Sequence, residues 1–311
     1  MPKIITIKDR AHWLQMKSED ISSTETAALF GLSPYSSEFE LYHEKLSGEI
    51  KEIDDNERMY CGRMMEDTIA KMVAETLGIK VRRLKTYARH DTCPRMGSSF
   101  DYEIVAHEDG AGILEIKNVD SLVFRNEWDT NEAPPHIETQ VQHQKEIMNR
   151  DWCKIAALVG GNTLHIIHRE RNKEVGKAIC NRINKFWYAV DNQIEPTPNF
   201  ERDAQFIIGM YNKAYGDPLD ISEDKTLQAM VTTYQELRDR YNAIGKAADA
   251  LKAEIFMQVK EAPKLFTDDG LTVTLTQTKD TPPTLITEDM VGESYGGREG
   301  YRQFRVNDKR K

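Results

Sequence analysis

Basic charge is what this chain is short of. Its 42 Lys and Arg residues face 51 Asp and Glu, a formal net charge of −9 across 311 residues. That deficit argues against a protein that coats nucleic acid without regard to sequence. It still leaves room for a local basic groove, and for an acidic site that itself adds negative charge. Cysteine is scarce as well. Cys61, Cys93, Cys153 and Cys180 show no zinc-like or redox-like spacing, so reduced thiols and a cytoplasmic setting are expected. No apolar run nears the length of a membrane span, and Met1–Asp20 lacks the charged-then-apolar pattern of a signal peptide, so no membrane partner is expected. The remainder, 39% hydrophobic, 30% charged and 8% aromatic, is ordinary for a globular chain holding one large domain and a smaller one.

What the chain does have is a patterned stretch from Ser98 to Lys117 that reads as two short strands and a turn. Over Ser99–Val105, Phe100, Tyr102 and Ile104 alternate with Ser99, Asp101, Glu103 and Val105. His107–Gly112 is turn-rich, and beyond it Leu114 and Ile116 alternate with Glu115 and Lys117. Pairing the strands apolar face to apolar face puts Asp101, Glu115 and Lys117 on one side of the sheet. Two carboxylates at close range cannot both stay ionised without a cation between them. Hard oxygen ligands suit Mg²⁺ or Mn²⁺, and a neighbouring lysine can orient a water or steady a developing oxyanion. Such a set suits phosphodiester hydrolysis. Taken alone the pattern is weak, because Glu-x-Lys on a strand is common and acids near loops are usually solvated.

Ahead of this stretch, Ile4–Ile7 is expected as an edge strand and Asp9–Met16 as a helix with Trp13 inward. Ile21–Phe30 is expected as a helix whose hydroxyl-rich start can seat a phosphate. Ser37–Leu46 and Met59–Leu77 follow as helices, the second carrying the stripe Met65, Ile69, Met72, Val73, Ala74 and Leu77 with Gly78 as its cap. Ile79–Arg89 reads as one strand bearing Lys80, Arg82, Arg83, Lys85 and Arg89, a basic strip close to the acidic hairpin; such runs are more often plain solvated faces. Downstream, Ile137–Met148 is a helix with Gln140, His143 and Gln144 near one face. Trp152–Val159 and Thr163–His168 are strands, and Val175–Val190 is an amphipathic helix. The order implies an α/β (α+β) fold, a mixed central sheet flanked by helices.

Several of these segments together resemble a known family. ISSTETAALFGLSPYSSEFELYHEKLSG, MYCGRMMEDTIAKMVAETLGIKV, Ser-Ser-Phe-Asp, Leu-Glu-Ile-Lys and the later Gln-Val-Gln are similar, in order and spacing, to the motifs of YqaJ-type viral recombinases. That family includes phage lambda exonuclease and has the restriction-endonuclease-like PD-(D/E)xK fold. The resemblance covers about Ala11 to Ile194. It implies a Mg²⁺-dependent 5′→3′ exonuclease on double-stranded DNA, with Mn²⁺ as a substitute ion, making 3′ overhangs for phage-type recombination. By motif, Glu66, Asp101, Glu115 and the carbonyl of Ile116 are implied as metal ligands, Lys117 as the catalytic lysine, and Gln140 as the glutamine over the site. Thr24 and Ser99 match phosphate-binding positions. Lys17 stands nearest the place of the family's arginine for the terminal 5′-phosphate. Singly, Glu66 is an ordinary helix acid, Gln140 an everyday polar residue and Thr24 a capping residue; their joint order carries the weight. The family further implies a homo-oligomer, a trimeric ring in lambda exonuclease, and a single-strand annealing protein as partner. An endonuclease of the same fold and a non-catalytic DNA-end-binding scaffold are the alternatives.

The expected nuclease domain spans 1–195, and Pro196-Thr197-Pro198 opens an accessory region, 196–311. Phe200–Tyr215 is expected as a helix. A long helix from about Ser222 to Glu261 carries Leu227, Met230, Tyr234, Leu237, Tyr241, Ile244, Ala248, Leu251 and Ile255 at alternating spacings of three and four, a heptad seam. An intramolecular or self-association role is expected for it. Pro263 ends that helix. Asp268-Asp269-Gly270 signals a hairpin, and Tyr301–Val306 a further strand before a basic tip.

Overall fold

In the computed structural model, which describes residues 1–48, 56–129, 131–214, 216–268 and 272–275, the chain opens with β1 (Lys3–Thr6) and α1 (Arg10–Glu19). Asp9 caps α1 by accepting the His12 amide at 2.8 Å. The expected helix over 21–30 shrinks to a short 3₁₀ turn, Thr26–Phe30. Its start is not capped by hydroxyls. Glu25 folds back instead, accepting the Ser22 amide and hydroxyl at 2.8 Å each, and this local bonding competes with helix formation. Next come α2 (Glu38–Ser47) and α3 (Glu57–Leu77), capped by Ser37 and Asn56. Gly48 and Gly78 end them in the left-handed conformation.

Beyond α3, two expected strands each prove to be two. β2 (Lys80–Arg83) and β3 (Thr86–Arg89) replace Ile79–Arg89, and β4 (Gly97–Ser99) and β5 (Tyr102–Val105) replace Ser99–Val105. In each case the chain passes between sheets. β1, β3 and β4 form an antiparallel three-stranded sheet. β2 and β5 join β6 (Gly112–Val119) and, after α4 (Ser121–Glu127) and α5 (Pro135–Met148), β7 (Trp152–Val159) and β8 (Thr163–Glu170). The order is β2-β5-β6-β7-β8, with β6 and β7 parallel and the other pairs antiparallel. The parallel pair needs a crossover, and α5 lies within it. α6 (Lys173–Asp191) packs beside α5.

The register of β6 decides what faces what. Leu114 and Ile116 join Tyr102, Ile104, Ala156 and Leu158 against Ile69, Ala70 and Val73 of α3. Ile113 faces the opposite side, in the cluster of Ile137, Val141, Ile179, Ile183 and Phe186 from α5 and α6. Alternation then sends Glu115 and Lys117 to the α5 side. Phe100, expected beside Tyr102 and Ile104, belongs to the α5 and α6 cluster, because the chain turns between β4 and β5.

Contacts divide the chain into two compact units, Met1–Ile208 and Gly209–Lys311. The first includes most of α7 (Ala204–Met210), which is all that forms of the helix expected over 200–215. The second contains α8 (Lys225–Val259), 35 residues long, and the antiparallel pair β9 (Lys264–Phe266) and β10 (Thr272–Thr274). The expected strand at 301–306 and the basic tip lie outside the described residues. The expectation of four reduced thiols is corrected. Cys93 and Cys180, with Cα atoms 5.9 Å apart, form a disulfide joining the β3–β4 connection to α6, a pairing made by the fold across 87 residues and invisible in local spacing. Cys61 and Cys153 are free. No described helix is long and apolar enough to cross a membrane.

Candidate active site

At the end of β5 the ladder to β6 stops at Tyr102 opposite Leu114. One step further, Asp101 supplies by side chain what a strand would supply by backbone: its Oδ2 accepts the Ile116 amide at 2.9 Å. The N–H and C=O of one strand residue point to the same edge, so the Ile116 carbonyl also faces the Asp101 side. Glu115, 2% exposed, is held from three directions. Lys117 Nζ donates to Oε1 at 2.6 Å, Gln140 Nε2 to the same oxygen at 2.7 Å, and Gln144 Nε2 to Oε2 at 2.8 Å. Lys117 Nζ also donates to Gln140 Oε1 at 3.1 Å. Gln140 and Gln144 are one turn apart on the buried face of α5. Between them His143, fully buried, lies 2.6 Å from Thr26 Oγ1 through Nδ1 and 3.1 Å from the Gly97 carbonyl through Nε2. Only a protonated Nε2 can donate to that carbonyl, which leaves Nδ1 to accept from Thr26. Gly97 has no room for a side chain, since a Cβ there would stand 2.6 Å from Asp20 Oδ2.

Electrostatics follow from the enclosure. Burial and the neighbouring Glu115 push the Asp101 carboxyl well above the ordinary carboxylate range. Burial opposes the charge on Lys117, but Glu115 and Asp101 outweigh it and hold the ammonium above the usual lysine value. Burial drives His143 down to about 3, so the imidazole is neutral at ordinary pH. Two carboxyl groups face one ammonium in an oxygen-lined site; a hard divalent cation would favour the ionised form of both and fits that donor set. The donors that fit are Asp101, Glu115 and the Ile116 carbonyl. The expected set of three acids is not assembled: among the described residues no group of three His, Cys, Asp or Glu side chains is placed to hold a metal ion. Glu66 is turned to Arg83, which donates to its Oε2 at 2.9 Å. Burial raises the Glu66 pKa against that guanidinium.

A cavity of about 290 Å³ is lined by Glu66, Asp101, Glu115, Ile116, Lys117 and Gln140, and also by Lys17, Thr24 and Ser99. All nine residues singled out in the sequence thus line one space. It shares Trp13, Lys17, Glu66, Ile116 and Lys117 with a larger cavity of about 1030 Å³ that also takes in Arg10, Arg58 and Arg63. The basic strip expected near the hairpin is not a free groove. Arg82 pairs with Glu103, Arg83 with Glu66 and Asp67, and Arg89 with Glu19 and Asp20. Cations near the site come from α1 and α3 instead. Gln144 was not singled out from sequence as a site residue. The available signal was its place one turn beyond Gln140 on the same helix face.

Asp101 ahead of β5 and Glu115 and Lys117 on β6 thus meet beneath the glutamines of α5, and two solved structures share the fold. The alkaline exonuclease LHK-Exo from Laribacter hongkongensis superposes with a TM-score of 0.50 at 20% identity, covering 63% of this chain and 99% of that one. Its complex with dAMP gives 0.50 at 19% identity over the same shares. Residues 12–150 match the YqaJ-like viral recombinase domain. Among curated proteins, the uncharacterized protein YqaJ of Bacillus subtilis (strain 168) is 29% identical over 180 residues, 57% of this chain. The match spans 55% of that relative's length.

Proposed function

We propose that the chain is a metal-dependent deoxyribonuclease that digests double-stranded DNA from its ends, 5′→3′, leaving 3′ overhangs for phage-type recombination. One observation carries this: Asp101, Glu115, Lys117 and Gln140 close around a single cavity in a chain that shares the fold of an alkaline exonuclease. A Mg²⁺ ion held by Asp101, Glu115 and the Ile116 carbonyl, or Mn²⁺ in its place, would supply Lewis-acid charge at the scissile phosphate and acidify a water.

The chain's own groups do the rest. Lys117, anchored by Glu115 and Gln140 and held in its charged form, donates to the phosphate oxygens as negative charge builds on them. A lysine so strongly protonated serves as donor and positioner of the nucleophile, not as the base. Gln140 and Gln144 fix the Glu115 carboxylate in orientation, so little reorganisation accompanies the reaction. Glu66 borders the same space as a third carboxylate. The hydroxyls of Thr24 and Ser99 are assigned to neighbouring phosphates. Lys17 is assigned to the terminal 5′-phosphate, as a point charge without a guanidinium fork. A homo-oligomeric ring and a single-strand annealing partner belong to the same proposal and rest on the family resemblance.

Linear duplexes with 5′-phosphate or 5′-hydroxyl ends, incubated with Mg²⁺ and then with chelator, test it. Mg²⁺-dependent release of 5′-phosphorylated nucleotides from the phosphorylated end is the expected result. Equal cutting of closed circular DNA would indicate an endonuclease, and end binding without hydrolysis a scaffold.

A further inference from the structure

On the α5 side of Lys117, the loop after the 3₁₀ turn carries a ring that the mechanism leaves unused. Tyr35 is 81% exposed, an amphipathic ring set in water. It meets His136 edge-on, with ring centroids 5.7 Å apart. His136 stands one turn before Gln140 on α5. Gln140 in turn accepts from Lys117 Nζ at 3.1 Å, so the ring pair stands one helical turn from the residue that holds the lysine.

The loop is also clamped. The Arg202 guanidinium donates to three of its carbonyls, Gly31 at 3.4 Å, Ser36 at 2.6 Å and Ser33. Ser33 Oγ accepts the Tyr35 and Ser36 amides at 3.1 and 3.3 Å. Arg202 is itself placed by a turn in which Asn199 Oδ1 accepts its amide at 3.2 Å, and buried Asp203 accepts the Asn199 amide at 2.7 Å. It lies outside the 12–150 family match. An exposed aromatic ring on a loop fixed at three carbonyls is pre-organised for contact.

We propose that Tyr35, braced by His136 and positioned by the Arg202 clamp, is a stacking platform for a nucleobase beside the scissile phosphate. A base offers a flat π-face whatever its sequence, which suits an enzyme that must accept every nucleotide in turn. The proposal rests on the nuclease reading above. Tyr35 touches the substrate; Arg202 is a positioning residue.

The full-length chain is tested with a 5′-phosphorylated duplex carrying 2-aminopurine near its end. In the wild-type background with Mg²⁺, Tyr35→Ala raises KM about tenfold while kcat falls less than twofold, and Tyr35→Phe restores KM. In a Lys117→Ala background, binding quenches 2-aminopurine emission, and adding Tyr35→Ala restores the emission. Arg202→Ala reproduces the Tyr35→Ala change in KM, and the double variant is no worse than Tyr35→Ala alone. If wild type digests DNA yet Tyr35→Ala leaves KM and emission unchanged, the nuclease reading stands and the platform falls. Additive losses in the double variant would remove the clamp's role. If wild type shows no hydrolysis with Mg²⁺, both fall together.

Discussion

Around β6 and α5, Glu115, Gln140, His143, Gln144 and Lys145 are each less than a tenth exposed, whereas along α8 Met230, Leu237, Tyr241, Ile244 and Leu251 are each more than half exposed. Polar groups lie inside in one region and apolar groups lie outside in the other. A buried polar side chain is costly without partners, and each of those five makes at least one hydrogen bond, Lys145 to the Glu170 carbonyl at 2.7 Å. That region is therefore specified residue by residue. Apolar exposure carries a smaller and less specific penalty, so α8 is specified by its period and capped at Asp224, with no residue buried along its length. Polar burial of the first kind marks chemistry, while a seam of the second kind marks a surface.

Substitutions sharpen the contrast. The largest effect belongs to the buried set: Glu115→Ala or Lys117→Ala lowers single-turnover hydrolysis by about 10³-fold or more, with circular dichroism unchanged. Retained cleavage in either folded variant removes the assignment. Next, Ile69→Ala in the α3 core costs about 3 kcal/mol in urea denaturation, whereas Leu237→Ala on α8 costs less than about 0.5 kcal/mol. A core-sized loss at Leu237 would mean that the seam is covered in solution.

A third effect is in pH. His143 is depressed to about 3 when folded, against about 6.5 unfolded. As pH falls through that window the unfolded chain binds a proton that the native chain refuses. Stability contributed by the neutral imidazole is complete above about 6.5 and is lost toward 3, at up to about 1.4 kcal/mol per pH unit. Denaturation series with His143→Gln should show a flatter acid limb. A smaller effect on stability runs the other way. Asp101→Asn relieves a carboxyl whose ionisation burial and Glu115 disfavour, so in chelator it gains about 1 kcal/mol while hydrolysis is lost.

Much of this was legible in the residues. Alternation in Leu114–Lys117 put the acid and the lysine on one face, and ordered motifs brought in Glu66, Asp101, Gln140, Thr24, Ser99 and Lys17, all of which line one cavity. What local pattern could not give was any break compelled by long-range packing. Ile79–Arg89 alternates like one strand, yet the chain changes sheets within it. Glu66 carries a helix acid's signature, and nothing nearby foretells that Arg83, 17 residues on, turns it aside. Cys93 and Cys180 meet only because α6 returns across the β3–β4 connection. Arg202 and Tyr35 are 167 residues apart in number, and no periodicity links a guanidinium to carbonyls it reaches through the fold.

Asp101 occupies the two-residue step where the chain leaves the three-stranded sheet at Ser99 and enters the five-stranded one at Tyr102. It is therefore seated on a joint, two residues beyond one slab and directly before the other. Its side chain is nevertheless tied to the second slab, through the Ile116 amide at 2.9 Å, and its main-chain carbonyl accepts the Leu84 amide at 3.0 Å. The acid that faces Glu115 is thus pinned to the strand Glu115 itself rides on, and the distance between the two carboxyls is set within that slab.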